Sequence, residues 1–143
     1  MKSLIQLAMT ILGALTIPVL QAQTVNMRVT VPFDFHVGKT SMPSGQYVVE
    51  SRGPAIMIRA SEGPARSVFV MANPDGKKQR GDTRLDFHQY GSEYFLAAVR
   101  DPSKDIGRVV PVTRHEQEIG KRVGGSLQAT VLAANRPKEP GKP

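Results

Sequence analysis

Between residues 25 and 37 the chain alternates without a break. The odd positions are Val25, Met27, Val29, Val31, Phe33, Phe35 and Val37, all apolar; the even ones are Asn26, Arg28, Thr30, Pro32, Asp34 and His36. Successive side chains of a strand point to opposite faces, whereas a helix would spread these seven around its whole circumference. The stretch therefore predicts a half-buried, edge-starting β-strand, interrupted near Pro32, that lays the first row of a β-core.

The remainder continues in kind. Turn signals at Met42-Pro43-Ser44-Gly45, Gly53-Pro54 and Glu62-Gly63-Pro64 separate predicted strands at 46–50, 55–59 and 66–72, because proline pre-sets the bend and glycine accepts positive φ. Residues 73–78 are polar and turn-rich and predict a mobile loop tip. Residues 83–100 predict a hairpin about Gly91-Ser92, a Gly-first loop suited to a type II′ turn. That register pairs Phe87 with Leu96 and Leu85 with Ala98 on one face, and His88 with Phe95, Asp86 with Ala97 and Arg84 with Val99 on the other. The second hairpin strand is apolar on both faces, which requires cover on both sides. A short strand at 108–110 precedes Thr113-Arg114-His115-Glu116, which has the spacing of a capping box. It opens a helix of two or three turns ended by Gly120 and Gly124-Gly125. A closing strand spans 127–134, with Leu127, Ala129, Val131 and Ala133 on one face. Strands every 10 to 15 residues with one weak helix predict an all-β fold: an antiparallel β-sandwich or small barrel of about 7–8 strands, with one short helix near the C-terminal end.

Compartment follows from the start of the chain. Lys2 precedes an apolar run over residues 4–20, broken only by Gln6, Thr10 and Thr16 before the helix breaker Pro18, and Ala22 offers a small residue for cleavage. This predicts a signal peptide at 1–22, a single β-domain at 23–134 and a disordered tail at 135–143 with three prolines. The expected localisation is secreted or periplasmic, with no membrane span after cleavage, since a span needs about 20 consecutive apolar residues. The chain has no Cys, which excludes disulfides, thiol catalysis and Cys-based zinc sites. Its formal net charge of +7 favours anionic neighbours such as acidic polysaccharide. The basic residues are dispersed and not interleaved with aromatics, which argues against nucleic acid.

One short echo carries the sharpest candidate site: Phe33-Asp34-Phe35-His36-Val37 and Leu85-Asp86-Phe87-His88-Gln89. In each copy the phenylalanine points to the core while Asp and His project oppositely, about 7 Å apart along the strand. Side by side, Asp34, His36, Asp86 and His88 would offer two imidazoles and two carboxylates to a divalent metal. The alternative is two satisfied histidines in strands of similar pattern. Tyr90 and Tyr94 flank the hairpin tip and are candidates for a sugar- or partner-binding patch. His115-Glu116-Gln117-Glu118-Ile119 begins like a zinc-protease helix but has Ile119 where the second ligand belongs. Gly124-Gly125-Ser126-Leu127-Gln128 lacks the final glycine of a nucleophile elbow. No complete catalytic set, resident metal or cofactor is predicted.

The blocks Val31-Pro32-Phe33-Asp34-Phe35, Pro43-x-Gly45-x-Tyr47-x-Val49 and Leu85-x-Phe87-His88-x-Tyr90-Gly91-x-x-Tyr94-Phe95-Leu96 resemble a family of small secreted bacterial β-proteins without assigned function. The resemblance implies export and a compact β-domain, and brings no catalytic residues with it. The expectation is a non-enzymatic secreted domain that binds or scaffolds an envelope protein or anionic polysaccharide. The alternative is a metal-binding protein or metal-dependent hydrolase using the paired Asp-x-His strands.

Overall fold

The computed structural model describes residues 25–133; the predicted signal peptide at 1–22 and tail at 135–143 lie outside them. The elements in chain order are β1 (Asn26–Val31), β2 (Phe35–Val37), β3 (Thr40–Met42), β4 (Gly45–Arg52), β5 (Ala55–Ala60), β6 (Ser67–Met71), β7 (Asn73–Pro74), β8 (Arg84–Tyr90), β9 (Glu93–Asp101), β10 (Ile106–Val109), α1 (Arg114–Val123) and β11 (Leu127–Leu132). The all-β prediction with a single helix near the C-terminal end matches this architecture. Among the described residues no helix is long and apolar enough to cross a membrane.

The strands form two sheets. Sheet A runs β1-β4-β5-β6, and sheet B runs β11-β8-β9-β10-β7, with the β2-β3 hairpin attached to β9. Two seams join them. Val29 in β1 bridges Ala133 just after β11. At the other side the chain leaves β6, turns at Ala72 and pairs Asn73 and Pro74 with β10. Counting β6 and β7 as one bent stave, a circuit of neighbours passes through eight staves and returns to β1.

The opening alternation is not one strand. Pro32 has no backbone N–H to give, and at Pro32–Asp34 the chain leaves sheet A for sheet B. Parity survives the crossing: Val25, Met27, Val29 and Val31 are buried from one sheet, Phe35 and Val37 from the other. Phe33, at the corner, is only half buried and stacks on Tyr94 with ring centroids 3.7 Å apart. Phe35 meets Phe87 and Tyr47 edge-on at 5.5 and 5.2 Å, and the Tyr47 hydroxyl donates to the Pro43 carbonyl. The phenylalanines of the two echo segments therefore touch each other in the core. Full burial of each such side chain contributes roughly 1.5–3 kcal/mol.

The hairpin register holds at its tip and then slips. Phe87 pairs with Leu96 and His88 with Phe95, but a bulge between Asp86 and Phe87 places Asp86 opposite Ala98, Leu85 opposite Val99 and Arg84 opposite Arg100. Ala97 is the extra residue. Were Ala97 held in a regular ladder opposite Asp86, Val99 would face out and Arg100 would point into the core, because a one-residue shift exchanges the faces of a strand. The bulge buries Val99 completely and turns Arg100 outward. Gly91 takes φ 60°, as a Gly-first tight turn requires.

Four further expectations are corrected. Residues 73–78 begin as β7, with Asp75 N–H donating to the Gly107 carbonyl at 2.8 Å, because this segment forms one of the seams. In β11 Leu127 is 70% exposed and Ala129, Val131 and Ala133 alone face inward, since Leu127 lies beyond the core's edge. Thr113 caps α1 by accepting from Glu116 N–H at 3.2 Å, but the Glu116 carboxylate bonds partners in sheet B. Gly120 lies within the helix, not at its end. A Cβ there would sit 3.0 Å from the Tyr90 ring, so the glycine lets α1 approach the sheet; Gly124, at φ 84°, is the C-cap.

Candidate functional site

The outer face of sheet B carries the chain's polar chemistry, and β9 is its axis. His36 on β2 and His88 on β8 both align with Phe95 on β9, one from each side. The two echo segments are therefore not neighbours: a strand separates them, which puts their backbones about 10 Å apart. His36 stacks on Phe95 at 4.5 Å, and its Nε2 lies 3.8 Å from Glu93. His115, from the first turn of α1, lies 6.1 Å from both the His36 and Phe95 rings. All three histidines of the chain thus surround Phe95.

His88 has a buried partner. Its Nδ1 lies 2.8 Å from Glu116 Oε1, and the Tyr90 hydroxyl donates to the same oxygen at 3.1 Å. Glu116 is 4% exposed. An ionised carboxylate only accepts hydrogen bonds, so the proton of a neutral His88 sits on Nδ1 and the lone pair on Nε2. Burial raises the Tyr90 hydroxyl pKa, the Glu116 charge raises it further, and a bond to Ser126 lowers it.

Asp86 is engaged otherwise. It is 4% exposed and accepts from Arg84 Nε at 3.1 Å, Arg100 Nε at 2.7 Å and Thr130 Oγ1 at 3.3 Å. Arg100 also donates to Asp75 at 2.6 Å and Gln79 at 2.9 Å. The Arg100 bond holds the Asp75 carboxyl below its ordinary range, and the Asp75 bond in turn raises the guanidinium pKa. Two arginines and two aspartates cancel, so this cluster is no anion trap. Asp34 lies at the Pro32–Asp34 corner, accepting from Ser44 N–H at 2.8 Å.

Tyr90 and Tyr94 face opposite ways, Tyr90 toward α1 and Tyr94 onto Phe33, so they line no common patch. Of the six candidate residues, His88 and Tyr90 meet through Glu116, and Asp86 sits one pleat along from His88. Asp34, His36 and Tyr94 stand apart. Among the described residues no group of three or more His, Asp or Glu is placed to hold a metal ion.

Beside His88 lies a groove of about 420 Å³. Ala97 and Ala98, the bulge residues, form its floor; Val109, Val110, Val112 and Leu127 form its walls; His88, Asp86, Arg100, Ser126 and Gln128 supply polar atoms. Val109, Val112 and Leu127 are 37%, 44% and 70% exposed. None of these walls was singled out from the sequence, and Glu116 was read there as a capping residue and as part of the incomplete zinc-protease pattern, not as a partner of His88. The usable signal was the apolar run Val109-Val110-Pro111-Val112, too short for a core strand and close to proline.

Comparison with protein-family models, with curated proteins and with solved structures gave no match for this chain, which leaves the groove's own geometry to carry the functional conclusion.

Proposed function

We propose that this is a secreted, non-enzymatic β-domain that binds a small, largely apolar ligand in the groove beside His88, at the cell envelope or outside the cell. The observation that carries the reading is the apolar rim: Val109, Val112 and Leu127 stay exposed around a floor of two buried alanines. Exposed apolar groups that converge on a concavity are the usual mark of a binding site, and the volume falls within the range of small-molecule sites. His88 Nε2 supplies an acceptor at the polar end, oriented by Glu116, so the favoured ligand carries one hydroxyl or amide donor on an apolar body. Export rests on Lys2 and the apolar run that follows it.

A fragment screen read by methyl resonances of Ala97, Ala98, Val109, Val112 and Leu127 tests this. Fragments that pair a ring or branched alkyl group with one donor should shift these methyls together. Leu127→Asp should weaken their binding at least tenfold while leaving the fold intact, since Leu127 is mostly exposed. Shifts scattered over the surface, or no fragment binding more tightly than about 1 mM (near −4 kcal/mol), would sink the reading.

A further inference from the structure

Among the described residues strand β6 ends sheet A and pairs with β5 alone. Its register is regular from Ser67 to Met71. Ala72 N–H donates to the Pro54 carbonyl and Ala60 N–H to the Arg66 carbonyl, which identifies even-numbered positions as the ones bonded to β5. An antiparallel ladder alternates, so the N–H and C=O groups of Ser67, Phe69 and Met71 point to the open edge. The same residues turn their side chains to solvent: Phe69 is 61% and Met71 60% exposed. Proteins usually guard such an edge with lysine, proline or a bulge. The segment Ser67-Val68-Phe69-Val70-Met71 has none of these.

From this edge we infer a docking site for an extended, acidic polypeptide segment that adds a strand to sheet A. Charge selects the occupant. The outer face of sheet A carries Arg59 on the strand next to β6, Arg52 on β4 and Arg28 on β1, against Glu50, which pairs with Arg52 and Arg59. A second copy would bring like charge to like charge, which disfavours self-pairing. Two side chains about 60% exposed present on the order of 250 Å² of apolar surface, well under the ~800 Å² per partner of a stable pair. The occupant therefore needs backbone hydrogen bonds, which a strand supplies at the two-residue period of Ser67, Phe69 and Met71. A polysaccharide has no such ladder. Phe69 and Met71 meet the incoming apolar side chains, and an acidic side chain passes over Ser67 toward Arg59, its partner on the neighbouring strand.

The test uses the full chain and a nonapeptide in which Thr alternates with guest residues, the guests being Glu and Leu in turn so that both project from one face. Binding should slow amide exchange at Ser67, Phe69 and Met71, leave Val68 and Val70 unchanged, and weaken as salt rises. A Lys/Leu peptide of the same pattern should bind at least tenfold more weakly, and so should the acidic peptide N-methylated at alternate residues. Phe69→Ser, with an unchanged urea midpoint, should reduce binding about tenfold. Equal binding of the N-methylated peptide overturns strand addition. Equal binding of the Lys/Leu peptide overturns the acidic occupant. A concentration-dependent dimer that protects the same amides without peptide assigns the edge to a second copy, and an acidic polysaccharide that protects them assigns it to a glycan; either refutes the inference.

Discussion

Replacing Glu116 with alanine removes the acceptor that fastens α1 to sheet B. Glu116 is 4% exposed and takes His88 Nδ1 at 2.8 Å and the Tyr90 hydroxyl at 3.1 Å. A hydrogen bond to a charged group contributes about 1.5–3 kcal/mol. The His88 side chain is 38% exposed, so water replaces part of its lost bond and the low end of that range applies. Tyr90 keeps its contact with Ser126. Removing a buried carboxylate also relieves its desolvation, which offsets part of the loss. The net expectation is about 2–3 kcal/mol. With a urea slope of about 1.5 kcal/mol/M for a chain of this size, the unfolding midpoint should drop by roughly 1–2 M at constant slope. Glu116→Gln, which keeps one acceptor, should lose about half as much. The reasoning fails if Glu116→Ala lies within about 0.3 M of the parent, near the resolution of such curves. It also fails if Glu116→Leu is the more stable protein, because the carboxylate would then be a cost that the core merely tolerates.

One burial contrast, one change at the bulge and two pH limbs follow from the same geometry. Phe35→Ala, at a side chain 1% exposed that meets Phe87 and Tyr47, should cost about 3–5 kcal/mol, while Phe69→Ala should stay within about 0.5 kcal/mol in the same urea titration. Deleting Ala97 should remove the bulge while keeping Val99 inward and Arg100 outward opposite Arg84, so unfolding in the same titration should stay cooperative. Asp75 has a folded pKa below its unfolded value. Its contribution is complete above the ordinary carboxylate pKa near 4 and is lost as pH falls through the folded value, so Asp75→Asn should flatten the acid limb of a stability–pH curve. Tyr47 and Tyr90 are raised, so their contribution is complete below about pH 10 and is lost as pH climbs through the folded values; Tyr90→Phe should flatten the alkaline limb.

Much of the fold was written in parity. The alternation from Val25 to Val37, the turn residues around Pro43, Pro54 and Gly91, and the cap at Thr113 act over a few residues, and local sequence reports local geometry. Pro32 marked an interruption, but the change of sheet there was hidden, because alternation continues when both sheets bury the same parity. The bulge at Ala97 was equally hidden: Phe95-Leu96-Ala97-Ala98-Val99 is apolar throughout, so no polar residue betrays the extra position. The site was less legible still. Glu116 finds His88 across 28 residues, and a local rule had already given that glutamate a task at the cap. The Asp-x-His echo proved informative for the core, through Phe35 and Phe87, while its polar halves ended on opposite sides of β9.

The bridge between Val29 and Ala133 makes the order of synthesis matter. The first stave is closed by the last, so the core stays open along one side until the residues near 133 have emerged. Contacts between the two ends of a chain form late and slowly, since the whole intervening loop must be closed first. Until then the emerging chain carries an unfinished core. Its delay in folding is set by where its final strand is encoded.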